Sequence, residues 1–190
     1  MRPLSGKALI GGLAAFWFLF GGADGAPADQ KDARLPALFD QLKAAPDSET
    51  AAAVEAQIWA IWLQANDQAI DALMTEGNEA MEAQKFGTAL AKFNAIIEQR
   101  PDFAEGWNKR ATVYFLVGDY AHSLADIDHT LELEPRHIGA LSGLGLVNIR
   151  MDRQEAAADA FERVLDIDPQ SISAKNNLAI VQDILKRKSI

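Results

Sequence analysis

Apolar positions recur along this chain at three- and four-residue steps, the period of helices that bury one face. Leu35, Leu38, Phe39 and Leu42 predict a first short helix over residues 35–43. Residues 44–48, which include Pro46, interrupt it, and Asp47 or Ser48 is placed to cap a second helix over 49–66. That helix carries Val54, Ile58, Trp59, Ile61, Trp62 and Leu63, too wide an apolar surface to be left in water. From residue 70 onward a longer period takes over. Trp107, Ala111 and Tyr114 share one helical face, and across a break at Gly118-Asp119 so do Leu124, Ile127 and Leu131. Pro101, Pro135 and Pro169 stand 34 residues apart, and the same step links Gly77, Ala111 and Gly145, Phe93, Ile127 and Phe161, and Ala89, Ser123 and Ala157. So many registers agreeing on one period predict a stack of helical hairpins.

The middle copy shows the pattern best: Trp107, Ala111, Tyr114, Gly118-Asp119-Tyr120, Ser123, Ile127, Leu131 and Pro135. It resembles the tetratricopeptide repeat (TPR). The segment Phe103-Ala-Glu-Gly-Trp-Asn-Lys-Arg-Ala-Thr112 also resembles one in exported repeat proteins of Gram-negative bacteria. The resemblance implies an all-α fold, a right-handed superhelical array of three TPR helix-turn-helix repeats over residues 69–170. An N-terminal helical hairpin within 26–68, preceded by a polar tether at 26–31, is expected to form a degenerate unit capping the array. A C-terminal capping helix over 171–190 is expected to close the other end, with Leu178, Ile180, Val181, Ile184 and Leu185 on its apolar side. The small residues at 77, 111 and 145 let the two helices of each hairpin approach closely.

Composition changes this picture little. Hydrophobic residues make up 49% of the 190, enough for a sizeable core, and no cysteine is present. The net charge of −9 argues against a nucleic-acid partner and against adhesion to an anionic membrane surface. Residues 1–25 read as a signal peptide: Arg2 and Lys7 precede an apolar run over 8–20, and Ala23-Asp24-Gly25 supplies small residues for cleavage. Export to a periplasm is therefore expected. The alternative is an inner-membrane anchor formed by the uncleaved segment.

No pattern here asks for a catalytic group or a cofactor. His122, Asp126 and His129 lie at i, i+4 and i+7 on one helix, the remote case for a metal-dependent enzyme, but no motif brings further ligands to them. The glycine-rich run 139–145 lacks the Lys-Ser/Thr ending of a phosphate loop. The expected function is non-catalytic: a scaffold or adaptor that binds a peptide or helical segment of a partner protein in a concave groove, in envelope assembly or secretion. The resemblance places Asp71, Met74, Asn78, Met81 and Glu82 of the first unit in that groove. From the second it places Glu105, Asn108, Thr112, Phe115 and Leu116, and from the third Gly139, Ser142, Leu146, Ile149 and Arg150. Met81, Phe115 and Ile149 would form an apolar stripe suited to an amphipathic helix or an extended apolar peptide.

Some members of the family clamp chaperone C-terminal carboxylates with a lysine–asparagine–asparagine–lysine–arginine set. The matching positions here are Met74, Asn78, Lys109, Gly139 and Gly143, and only Asn78 agrees. Two alternatives remain open: the N-terminal hairpin folds back to fill the groove, or the Trp59/Trp62 face pairs two copies into a homodimer. Glu76 and Arg110 replace large apolar residues at equivalent positions of units one and two, which predicts an ion pair between them. Asn148 replaces the usual aromatic of the third unit.

Overall fold

Nine helices are described in the computed structural model, which covers residues 29–188. The segment read as a signal peptide lies outside those residues, as does the start of the polar tether. The helices are α1 (Leu35–Lys43), α2 (Ser48–Trp62), α3 (Gln68–Glu82), α4 (Phe86–Gln99), α5 (Ala104–Leu116), α6 (Tyr120–Leu133), α7 (Ile138–Arg150), α8 (Gln154–Ile167) and α9 (Ile172–Lys188). Helices α3–α8 form the three expected hairpins, and α9 packs on α8 through Ala174 and Val181. No described helix is long and apolar enough to cross a membrane.

Helix α2 stops at Trp62 rather than Asn66 because the chain turns back on itself there. Gln64 N–H donates to the Ile61 carbonyl, and Asn66 takes a left-handed φ of 51°. Asp67 then caps α3, accepting from Ala69 N and Ile70 N. Asn tolerates that conformation better than most residues, and Asp is a strong N-cap.

Within each hairpin the two helices meet where a small residue faces a large one sixteen positions on. A Cβ at Gly77 would come 2.6 Å from the Phe93 ring, and one at Gly145 would come 2.5 Å from Phe161. In the middle repeat both partners change together: Ala111 fills the small position and the opposite residue shrinks to Ile127. The Ser123 hydroxyl donates to the Ala111 carbonyl, drawing α6 onto α5. The total volume at the crossing is thus kept while its division changes, as close packing demands.

The turn inside each hairpin needs a left-handed residue, and Gln84, Gly118 and Asp152 supply it with φ of 58°, 80° and 57°. Only Gly118 adopts it without a Cβ penalty. Asp152 is compensated by bonds from Gln154 Nε2 and Lys188 Nζ. Gln84 has no such compensation among its side-chain contacts. Gln84→Gly is expected to stabilise the protein by about 0.5–1 kcal/mol, read as a rise in Tm of about 1–4 °C in a thermal melt.

The N-terminal segment does not stack in front of the first repeat as an extra unit. It runs along the edge formed by the turns that join one repeat to the next. Asp29 reaches Arg100 at 3.4 Å, Lys31 pairs with Asp102 at 2.9 Å, and Gln30 bonds both Asp102 O and Ala104 N. Asp29, Gln30 and Asp32 are buried, so this part of the polar segment is seated on the array. Hydrogen bonds from Lys31 and Arg100 hold the Asp102 carboxyl below its usual range. Farther along, Phe39 lies under the Arg136 guanidinium at 4.0 Å, and Gln170 Nε2 donates to Ala45 O at 3.3 Å. The hairpin core (Leu35, Leu42, Ile58, Trp62) is continuous with Ile138 and Leu141 of α7, Val164 of α8 and Ala174 of α9. Apolar area hidden against the third repeat, not repeat-to-repeat stacking, keeps α1 and α2 in place.

Candidate groove between the first helices of the repeats

Helices α5 and α7 stand side by side and open a cavity of about 170 Å³ between them. Its walls include Asn108, Thr112 and Phe115 from α5 and Ser142 and Leu146 from α7. Ile127 and Ser123 of α6 form the floor, and they are reachable because position 143 is glycine, whose absent Cβ would sit 3.5 Å from Ile127 Cδ1. Leu146 lines the opening and is 37% exposed.

The other half of the expected groove is filled by the protein itself. Trp59 occupies the space above Gly139, where a Cβ would come 2.6 Å from the indole. Trp62 stacks on the His137 ring at 4.3 Å between centroids and 9° between planes. His137 is fully buried: Nε2 donates to Glu105 Oε2 at 3.0 Å, and Nδ1 accepts from Ala140 N, capping α7. Those two bonds assign the neutral tautomer with the proton on Nε2. Glu105 Oε2 also accepts from Asn108 Nδ2 at 3.0 Å. Lys109 stands 3.4 Å from the other oxygen, an ion-pair distance without hydrogen-bond geometry. Glu105 therefore belongs to the contact between array and hairpin rather than to an open groove, while Asn108 and Gly139 stand between that contact and the cavity. The Trp59/Trp62 face proposed for self-association is turned into the chain, with Trp62 only 1% exposed.

The remaining expected positions divide the same way. Met74 is buried and Met81 packs half-buried in the first-repeat core. The Asp71 carboxylate accepts from Ala65 N at 3.0 Å, and Glu82 faces solvent. Asn78 is partly buried, its Oδ1 without a partner. Thr112 donates to the Asn108 carbonyl at 2.9 Å, leaving its methyl toward the cavity wall. Ile149 packs against α8 and α9. The stripe expected from Met81 through Phe115 to Ile149 is consequently broken at both ends, and Leu116 and Leu146 are the apolar side chains that face outward.

One expectation is corrected. Glu76 pairs with Lys92, while Arg110 makes a two-pronged pair with Asp126 (Nε to Oδ2 2.8 Å, Nη2 to Oδ1 2.7 Å) and gives Nη1 to Asn94 Oδ1 at 2.7 Å. Both bonds lie sixteen residues away in sequence, across the hairpin and to the preceding α4, so residue 110 turns toward second helices rather than toward α3. Asp126 is thereby committed to Arg110 rather than to His122 and His129. His122 pairs with Asp119 at 2.7 Å and stacks on Tyr114, and His129 sits 3.4 Å from Glu132 and over Trp107. Among the described residues no three His, Cys, Asp or Glu side chains gather as a metal site. Asn148 is buried, and its amide donates back to Leu144 O at 2.9 Å.

Stacked helix pairs with a lined concave side define a solenoid repeat protein. The sequence pattern of the tetratricopeptide repeat matches residues 74–128 and 109–172. A TPR repeat-containing protein of Rhizobium etli is 36% identical over 152 residues, covering 80% of this chain and 74% of the relative. The small glutamine-rich tetratricopeptide repeat-containing protein 2 of Mycosarcoma maydis is 26% identical over 117 residues, and this chain spans 33% of its length. Among solved structures, the first TPR of Spaghetti (RPAP3) bound to the HSP90 peptide SRMEEVD superposes with a TM-score of 0.61 at 24% identity, over 63% of this chain and 94% of that one. The Sgt2 TPR domain of Aspergillus fumigatus gives 0.62 at 22% identity, over 65% and 83%. The chain belongs to the tetratricopeptide repeat family, whose fold is a protein-interaction module.

Proposed function

We propose that this protein is an exported, non-catalytic adaptor that holds a segment of a partner protein in the open half of its groove. The observation that carries the reading is the Gly143 cavity between α5 and α7, with Ile127 and Ser123 at its floor and Phe115 and exposed Leu146 on its walls. A pocket of that size and lining takes one large apolar side chain, and exposed Leu146 extends the contact to a helix or strand that carries it. The periplasmic setting rests on the N-terminal sequence pattern alone.

The neighbour bound to SRMEEVD holds an acidic-tailed peptide. Here Gly139 and Gly143 occupy two of the five positions of the carboxylate clamp, one of them is covered by Trp59, and Lys109 lies beside Glu105. A ligand held by that clamp is not supported.

Ser142 is half-exposed on the cavity wall, so Ser142→Trp fills the opening without disturbing the core. A photoreactive residue at Phe115, activated in living cells, is expected to crosslink a foreign protein in the parent and to lose about nine-tenths of that product when Ser142→Trp is added. Crosslinks confined to residues 35–62, or indifferent to Ser142→Trp, would refute the groove as a recognition site.

A further inference from the structure

We propose that Arg150 sets the specificity of this groove, selecting segments that place a side-chain carboxylate about one helical turn from their apolar anchor. The inference rests on the groove reading above and adds the chemical class of the ligand. Arg150 is the last residue of α7, exposed, with its guanidinium 6.0 Å from the Phe115 ring centroid and 5.5 Å from that of Tyr120. Phe115 is also a wall of the cavity. One ring therefore serves both the apolar pocket and the cation, which fixes the cation at the pocket mouth.

The charge of Arg150 has no answer among the described residues. Among the described residues no carboxylate stands within ion-pair distance of it, although Asp and Glu outnumber Lys and Arg by 27 to 18. The other cations near α5 are already engaged: Lys109 with Glu105 and Arg110 with Asp126. Asp152, two residues beyond Arg150, is engaged by Lys188, and Asp119, next to Tyr120, is engaged by His122. The groove is thus polar along its length, with the Glu105 carboxylate at the plugged end and an unanswered guanidinium at the open end. A ligand that offers an anion to the open end meets attraction there and avoids Glu105.

The geometry suits a carboxylate better than a diffuse negative field. Resting over two aromatic faces restrains the guanidinium while leaving its planar donor fork accessible. A fork so restrained loses less freedom on forming two parallel N–H···O bonds than a free lysine would. Residues at i, i+3 and i, i+4 of a bound helix are neighbours on one face, roughly 5–6 Å apart. An anchor in the pocket beside Phe115 therefore leaves the next turn within reach of the guanidinium 6.0 Å from that ring. The ligand inferred is a helical segment with a Leu, Met or Phe in the cavity and an Asp or Glu three or four residues away.

The test is a random 12-residue peptide display library panned in parallel on the wild-type protein and on Arg150→Glu, with Ser142→Trp as the filled-pocket control. Wild type is expected to return a bulky apolar residue with Asp or Glu three or four positions distant. Arg150→Glu is expected to keep the apolar residue and exchange the acid for Lys or Arg. A synthetic, C-terminally amidated wild-type winner should bind Arg150→Glu about three- to tenfold more weakly in fluorescence anisotropy, the gap narrowing as salt is raised. Arg150→Lys should recover part of it. An apolar consensus with no acidic bias, or a bias unchanged by Arg150→Glu, overturns the role of Arg150 and leaves the groove standing. If Ser142→Trp does not diminish binding of the winners, the groove reading itself fails and this inference with it.

Discussion

Asp126→Ala is expected to lower the free energy of unfolding by about 3–5 kcal/mol, the usual cost of breaking a buried ion pair by removing one partner. The side chain of Asp126 is 4% exposed and that of Arg110 18%. Asp126 supplies both carboxylate oxygens to the guanidinium, and its hydrogen bonds hold the Arg110 pKa above its ordinary value. Without Asp126 the cation keeps Asn94 Oδ1 and the faces of Trp107 and Tyr114, at 5.0 and 5.8 Å. None of these neutralises the charge. Because Asn94 is on α4 and Asp126 on α6, the loss falls on the junction between the first two repeats. Urea denaturation should show it as a lower midpoint. The double replacement Arg110→Met with Asp126→Leu should recover most of the loss, since two apolar groups leave no unpaired charge. A double replacement as damaging as the single one would mean that packing around residue 126, not charge, governs this site.

Trp62→Ala is expected to cost about 3–5 kcal/mol, typical of emptying a large buried aromatic site. Trp62 lies between the hairpin and the repeats, stacked on His137, tilted against Phe39 at 5.9 Å and edge-on to Trp59 at 5.3 Å. Its loss should act regionally. Hydrogen exchange should accelerate across residues 35–62 while α3 to α6, which share little core with Trp62, keep their protection. Acceleration spread evenly over all repeats would show that the hairpin is not a separable element. Trp62→Phe, which retains a stacking face on His137, should lose much less.

The array was legible because its signals are local and repeated. Small residues at 77, 111 and 145, the break at Gly118-Asp119, and prolines at 101, 135 and 169 each follow from the geometry of one hairpin. The pairing of Arg110 was legible too, at a different step. Gly77 with Phe93, Ala111 with Ile127, Glu76 with Lys92 and Arg110 with Asp126 are all sixteen residues apart, the offset from first helix to second. Reading Glu76 against Arg110 by the 34-residue step alone compared equivalent sites that do not touch.

The seat of the N-terminal hairpin carried no comparable signal. Its apolar width predicted burial, but the surface it meets is assembled from three separate turns. The central contact, His137, caps α7 with a ring nitrogen instead of the Ser, Thr, Asp or Asn that would have marked it. The open half of the groove depended on the same unseen docking. Glu105 is buried against His137 and Gly139 is crowded by Trp59, while Ser142, Leu146 and Arg150 keep exposure.

A repeat array ordinarily couples only neighbours, so it can begin folding anywhere and grow outward. The segment that lies along the turns changes that rule. It joins residues 71 to 74 positions apart at the first turn and 125 positions apart at the last. The hairpin, made before the repeats it rests on, thus has no complete seat until residue 170 has been made. Completion at the C-terminal end, not emergence of the N-terminus, is the event that allows the whole molecule to lock.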